Sequence, residues 1–282
     1  MTSLYNTIMK KQIFTVAFVM LLLISIFVIA QPGKNRVPAE TKGGVTVVIP
    51  SHAIELATGI FDLGTANVNG EVLQGYMFIH YKDEFTHKPN HDGATTPTST
   101  CYAFLSQGAR WKNTEQYITG PGIDPALTET SLDAWDSQVA FDIFGSRNTS
   151  AVVDGTDTSA PDNKNEIMFG DISSPNVIAV TTVWGIFGGK PNQRKLVEFD
   201  AVFDNVDFTW GNAGPTSETS LGDTSVMDFQ NIATHEFGHA AGMGHPSSTC
   251  AEETMYAYST EGETKKRTLN AGDISGIKSL YK

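Results

Sequence analysis

Basic residues are scarce: 19 Lys and Arg stand against 31 Asp and Glu, a formal charge of −12. No basic stripe or cluster is present. That excludes the electrostatic footprint of a nucleic-acid binder, and the negative balance repels phosphate backbones. No segment recurs at a fixed spacing, which excludes a solenoid or other repeat architecture. Charged residues make up only 18% and hydrophobic residues 40%, too apolar a mixture for a chain disordered as a whole. Two cysteines, Cys101 and Cys250, allow one disulfide at most. The length of 282 residues suits one large domain, or a medium domain with a smaller module.

Charge is absent altogether from one stretch. Lys10 and Lys11 precede an apolar run from Ile13 to Ala30, broken by Gln31, Pro32 and Gly33. The run has no polar face, which excludes a buried core helix. A basic n-region, an apolar h-region and small residues at Val28 and Ala30 make residues 1–30 a cleaved signal peptide. The 18-residue run also just spans a bilayer, so an uncleaved membrane anchor is the second reading. Both send residue 31 onward out of the cytoplasm and confine membrane contact to this segment. In an exported chain a cysteine pair is more often bonded than free.

Residues 31–44 read as a linker, and Val45–Ile49 and Gly70–Tyr81 as strands. A polar stretch from Lys82 to Thr100 suggests a boundary. Residues 31–100 then form a linker and small N-terminal β module, and residues 101–282 the main domain. Within it, Cys101–Ala109, Glu115–Thr119, Glu166–Phe169, Val177–Trp184 and Leu196–Phe203 are strand-like. Asp124 followed by Pro125 starts a helix with a capping carboxylate and proline in its first turn. Leu127, Leu132, Trp135 and Val139 supply its packing stripe. Asp228 caps a second helix over Phe229–Ala241. Asn270, with Asp273 three residues on, starts a third over Ala271–Tyr281. Strands and helices are mixed without strict alternation, which makes α+β the expected class. His87 and His91 have ligand-like spacing, but Pro89 between them makes a loop.

Residues 235–245 read His-Glu-Phe-Gly-His-Ala-Ala-Gly-Met-Gly-His. His235 and His239, four apart on a helix, share one face and can bind one zinc ion. Glu236 is beside the metal without ligating it, where a general base for an attacking water belongs. Gly242 can adopt positive φ, end the helix and turn the chain so that His245 returns as third ligand. Three nitrogens leave the fourth position open, as catalytic zinc requires. With seven histidines in the chain, a chance occurrence of this pattern is on the order of 10⁻⁵.

This pattern resembles the extended zinc motif of the metzincin metalloproteases. Thr254-Met255-Tyr256, ten residues past His245, is similar to their Met-turn, where a methionine underlies the metal. Asp273–Tyr281 (DISGIKSLY) resembles the C-terminal helix of the matrixins within that clan. The resemblance covers about Cys101 to Lys282 and is strongest after Met227. It implies a twisted mixed sheet with an active-site helix and a C-terminal helix, and cleavage of peptide bonds in protein or peptide substrates. Substrate would lie along an edge strand beside the cleft; by order in the chain that strand is Val177–Val183. Ala257 stands where matrixins carry a proline, so substrate preference does not transfer. No histidine occurs between Cys101 and His235, which argues against the family's second, structural zinc. The cysteine-switch sequence of animal matrixins is absent too. The acid-rich loop Asp154–Asn165 offers oxygen ligands for calcium, or is a solvated turn.

Cys101 and Cys250 are expected to bond, tying the start of the domain to the loop between His245 and Met255. In the alternative, the Cys101 thiolate fills the open zinc position until the N-terminal module is removed. The functional expectation is a zinc endopeptidase with Glu236 as base. Its rival is a non-catalytic, zinc-stabilised binding or adhesion module, which the presence of Glu236 disfavours.

Overall fold

The computed structural model describes residues 45–82, 99–214 and 221–282. The leader expected over residues 1–30, the linker 31–44 and the His87–His91 loop lie outside the described residues. Among the described residues, no helix is long and apolar enough to cross a membrane.

The chain runs β1 (Val45–Val47), β2 (Ile54–Ala57), β3 (Ile60–Val68), β4 (Glu71–Lys82), β5 (Ala103–Phe104), β6 (Glu115–Thr119), α1 (Pro125–Asp136), β7 (Phe144–Arg147) and β8 (Glu166–Ile172). It continues through β9 (Val177–Ile186), β10 (Lys195–Asp204), β11 (Trp210–Gly211), β12 (Met227–Asp228), α2 (Phe229–Ala240), β13 (Met243–Gly244), β14 (Tyr258–Ser259) and α3 (Ala271–Leu280). One large sheet has the order β2-β3-β4-β9-β10-β8-β6-β7, with β1 joined to β8 and β14 to β4. It is mixed: β8 runs parallel to β1, β6 and β10, while β9 is antiparallel to both β10 and β4. The fold is α+β.

Three expectations from the sequence are corrected here. Residues 45–82 do not build a separate β module, because β4 pairs with β9 from Gln74 to Tyr81 and carries β3 and β2 into the main sheet. For the same reason Val177–Val183 is not an edge strand: β9 has β10 along one side and β4 along the other. The expected strand over Cys101–Ala109 contracts to Ala103–Phe104, the two residues that find a partner in β13.

The helices start and stop where local chemistry requires. The Asp124 carboxylate accepts the amides of Ala126 and Leu127 at 2.9 and 3.2 Å, and Pro125 follows. Asp228 accepts the amide of Asn231 at 2.9 Å to cap α2; such caps stabilise by about 1 kcal/mol each. Gly242 ends α2 with φ +102°, and a Cβ there would crowd the Ala109 carbonyl. The turn sends the chain into β13, which pairs with β5.

Helix α2 is buried nearly all round, between the sheet and α1. Two indoles anchor it: Trp135 donates to the Thr234 carbonyl and Trp111 to the Ala240 carbonyl, both at 2.8 Å. Phe199, Phe203, Trp210 and Phe229 fill the space between α2 and the sheet. The opposite sheet face holds a second apolar cluster, including Leu73, Met77, Ile79, Val180 and Trp184. Strand β4 therefore contributes to both faces, as alternation along a covered strand demands.

Cys101 and Cys250 form a disulfide across 149 residues of sequence. The bond excludes Cys101 as a thiolate ligand. On the chain-entropy model a loop of this length is stabilised by at most about 5 kcal/mol. Replacing both cysteines with serine should lower the thermal midpoint by several degrees. Non-reducing peptide mapping should recover a linked Cys101–Cys250 peptide, and alkylation of both thiols without prior reduction would overturn the pairing.

Candidate active site

His235 and His239 project from α2, and the Gly242 turn brings His245 back beside them. His239 Nε2 lies 3.0 Å from His245 Nε2, which lies 3.3 Å from His235 Nε2. The other ring nitrogens explain this convergence. His235 Nδ1 is 2.7 Å from the Thr254 carbonyl and His239 Nδ1 is 2.9 Å from the Met243 carbonyl. A carbonyl only accepts, so each Nδ1 carries the proton and each Nε2 presents a lone pair inward. Lone pairs this close repel one another unless a cation lies between them. A tetrahedral zinc with bonds of about 2.0–2.1 Å holds its nitrogens about 3.4 Å apart, close to the spacing here. The three histidines form a group that could hold a metal ion. Burial keeps all three neutral, pushing His239 down to about 3 and His235 and His245 well below the usual histidine range.

Met255 is fully buried and packs against α2 at Gly238. It fits because residue 238 is glycine: a Cβ there would overlap both the Met255 sulfur and the Trp135 ring. The turn bearing Met255 is held from α3. The Asp273 carboxylate accepts the amides of Thr254 at 2.7 Å and Met255 at 3.2 Å, and the Asn270 amide at 3.0 Å. In return, Glu253 accepts the amides of Gly272 and Asp273. Tyr256 is half-buried, and its carbonyl accepts a hydrogen bond from Lys266 Nζ at 2.6 Å.

Glu236 is fully buried, and both carboxylate oxygens are engaged. Thr181 Oγ1, on β9, donates to Oε2 at 2.6 Å, and His80 Nδ1, on β4, lies 3.0 Å from Oε1. The other His80 nitrogen is 3.0 Å from Lys266 Nζ, which donates to the carbonyls of Tyr256 and Tyr258. The ammonium has only protons to give, so His80 accepts at Nε2 and donates from Nδ1 to Glu236. Burial raises the Glu236 carboxyl to about 8 despite the Thr181 hydrogen bond and the Lys266 charge. Burial also lowers Lys266 to about 8. Thr181, His80 and Lys266 are site residues that sequence reading missed. The only signal for His80 was a histidine on the same alternating face as Phe78. Lys266 carried none, since a Lys-Lys-Arg run ordinarily points to solvent.

The acid-rich loop divides. Asp154 and Asp162 pair with Lys164. Asp157 instead turns inward against Glu198 and Asp200 of β10, the three carboxylates offering oxygens within 4.8 Å of one another. Glu198 is fully buried, its Oε1 has no hydrogen-bond partner, and burial together with Asp157 pushes it up to about 9.

Comparison with known proteins bears on the whole arrangement. A family model described as matrixin matches residues 79–282. The chain is 36% identical over 77 residues to metalloendoproteinase 1 of Glycine max, covering 27% of this chain and 24% of that protein. It is 40% identical over 82 residues to matrilysin of Homo sapiens, covering 29% and 26%. A hatching enzyme of Paracentrotus lividus is 42% identical over 82 residues, 29% of this chain and 12% of that one. The matched part thus spans about a quarter or less of these relatives' length. The family match runs from β4 through α3 and takes in the histidine cluster, Glu236 and the Met255 turn, and over that span the chain belongs to the matrixin family.

Proposed function

We propose that the chain is a zinc-dependent endopeptidase acting on proteins or peptides outside the cytoplasm. The observation that carries this reading is the convergence of three inward-facing Nε2 atoms beside a buried carboxylate. His235, His239 and His245 would hold the zinc, which when bound supplies a Lewis acid to polarise the scissile carbonyl and acidify water. Glu236 would take the proton from the attacking water at a carboxylate oxygen and pass it to the leaving amine. Burial raises this carboxyl without the metal, and the charge of a bound zinc would lower it again, favouring the ionised form that a base needs. Thr181 orients the acceptor oxygen from β9. Thr254 and Met243, through their carbonyls, fix the tautomers of His235 and His239. The apolar leader and the disulfide support an extracytoplasmic setting.

We also propose that Asp157, Glu198 and Asp200 take a calcium ion. Two buried carboxylates and the half-buried Asp157, with one Glu198 oxygen left unpaired, suit a hard cation with oxygen ligands. Without a cation, the folded-state pKa of Glu198 is raised, so this group's contribution to stability is full below 4.5 and is lost as pH rises toward about 9.

Glu236→Gln should keep about one zinc per chain by metal analysis while hydrolysis of a mixed peptide library falls below about a hundredth of wild type; a variant retaining a tenth of the activity would remove the base role. Chelation should abolish wild-type cleavage and added zinc should restore it. His245→Ala should bind zinc at least tenfold more weakly, and unchanged affinity in a competition titration would disqualify His245 as third ligand. Millimolar calcium should raise the thermal midpoint at pH 8 and flatten its decline with pH, whereas Glu198→Gln should not respond. A wild-type midpoint indifferent to calcium would rule the ion out.

A further inference from the structure

Strand β4 lies where the peptidase reading puts substrate. It is hydrogen-bonded antiparallel along the outer side of β9, the strand expected to receive an extended peptide, from Gln74 to Tyr81. At its C-terminal end the opposite side of β4 is also taken. Tyr81 pairs with Tyr258 of β14, and its amide donates to the Ala257 carbonyl at 3.1 Å. Residues 80–82 thus run between β9 and the segment that follows Met255, filling a groove one strand wide. An incoming peptide would find the amides and carbonyls of β9 already used on both sides.

The side chains close what the backbone covers. Phe78 and His80 alternate onto the face toward α2. Phe78 is 2% exposed and stacks on His239 with ring centroids 4.3 Å apart, its edge toward His245 at 6.1 Å. His80 is fully buried, packs on His235 at 3.9 Å, and donates to Glu236 with its far nitrogen held by Lys266. With Thr181 on the other oxygen, each Glu236 oxygen already accepts one hydrogen bond, and His80 occupies the side of the carboxylate that Thr181 leaves open. A strand serving only to extend the sheet would need no histidine aimed at the one carboxylate the reaction uses.

On the basis of the peptidase reading above, we propose that β4 is a resident occupant of the substrate groove, with His80 clamping Glu236, and that the chain hydrolyses peptides only in molecules where β4 has left β9. Basal turnover then reports the open fraction, and the apparent affinity for any competing extended peptide is weakened by that same fraction. Latency here needs no cysteine, in keeping with both cysteines being bonded to each other.

The test uses the intact zinc-loaded chain and a short peptide hydroxamate, which joins a metal-chelating group to an extended backbone. Hydrogen exchange on the wild type should show the amides of residues 76–81 protected in the free protein and exchanging faster when the probe is bound. His80→Ala and Phe78→Ala should each bind the probe at least tenfold more tightly and raise kcat/KM by a similar factor. Tighter probe binding without hydrolysis would support the occupied groove and count against the peptidase reading. Unaltered exchange over residues 76–81 with the probe bound would overturn the proposal, even if both variants misfolded. So would a probe affinity in folded variants equal to or weaker than wild type.

Discussion

The carboxylate of Asp273 holds two consecutive amides of the Met255 turn, and much of the metal-binding geometry depends on where that turn sits. Thr254 gives its amide to Asp273 and its carbonyl to His235 Nδ1. One residue thereby transmits the position of α3 to the inward lone pair of His235. Met255, next in sequence, fills the space left by the missing side chain of Gly238. Burying a carboxylate is costly without hydrogen bonds to replace water, and Asp273 receives them from Thr254, Met255 and Asn270. Glu253 returns the arrangement by accepting the first amides of α3, so the turn and the helix start hold each other.

What the sequence disclosed follows from how local each signal was. The α2 histidines, Glu236, Gly242 and the caps at Asp124, Asp228 and Asn270 all act over a few residues, and periodicity or turn chemistry exposes them. The Asp273–Tyr281 pattern was legible as a helix. That its aspartate reaches back to residues 254 and 255 depends on tertiary packing and left no periodic trace. Strands β8, β9 and β10 were legible as apolar runs within a few residues of their ends. Strands β2 and β3 were not, because their exposed or half-buried positions break the alternation a reader looks for.

The larger misreading concerned the sheet's boundary. A polar stretch after residue 82 suggested that a module had ended, yet β4 crosses back into the sheet on β9, about a hundred residues later in the chain. Pairing over that distance is invisible to composition. It also hid His80 and Lys266, whose importance arises only once β4, α2 and the segment after β14 are brought together. Glu236 was found because it neighbours a ligand, whereas the partners that occupy its two oxygens come from residues 80 and 181.

Strand β4 is covalently joined to the protein whose groove it fills, and that connection changes what a competitor must overcome. A tethered segment returns to its site with an effective concentration on the order of millimolar, whatever the dilution of the protein. A free peptide substrate at micromolar levels meets a rival present at far higher local concentration, and diluting the enzyme does nothing to relieve it. Severing the connection would convert the same contacts into an ordinary bimolecular equilibrium, in which the strand, once released, diffuses away and cannot readily return.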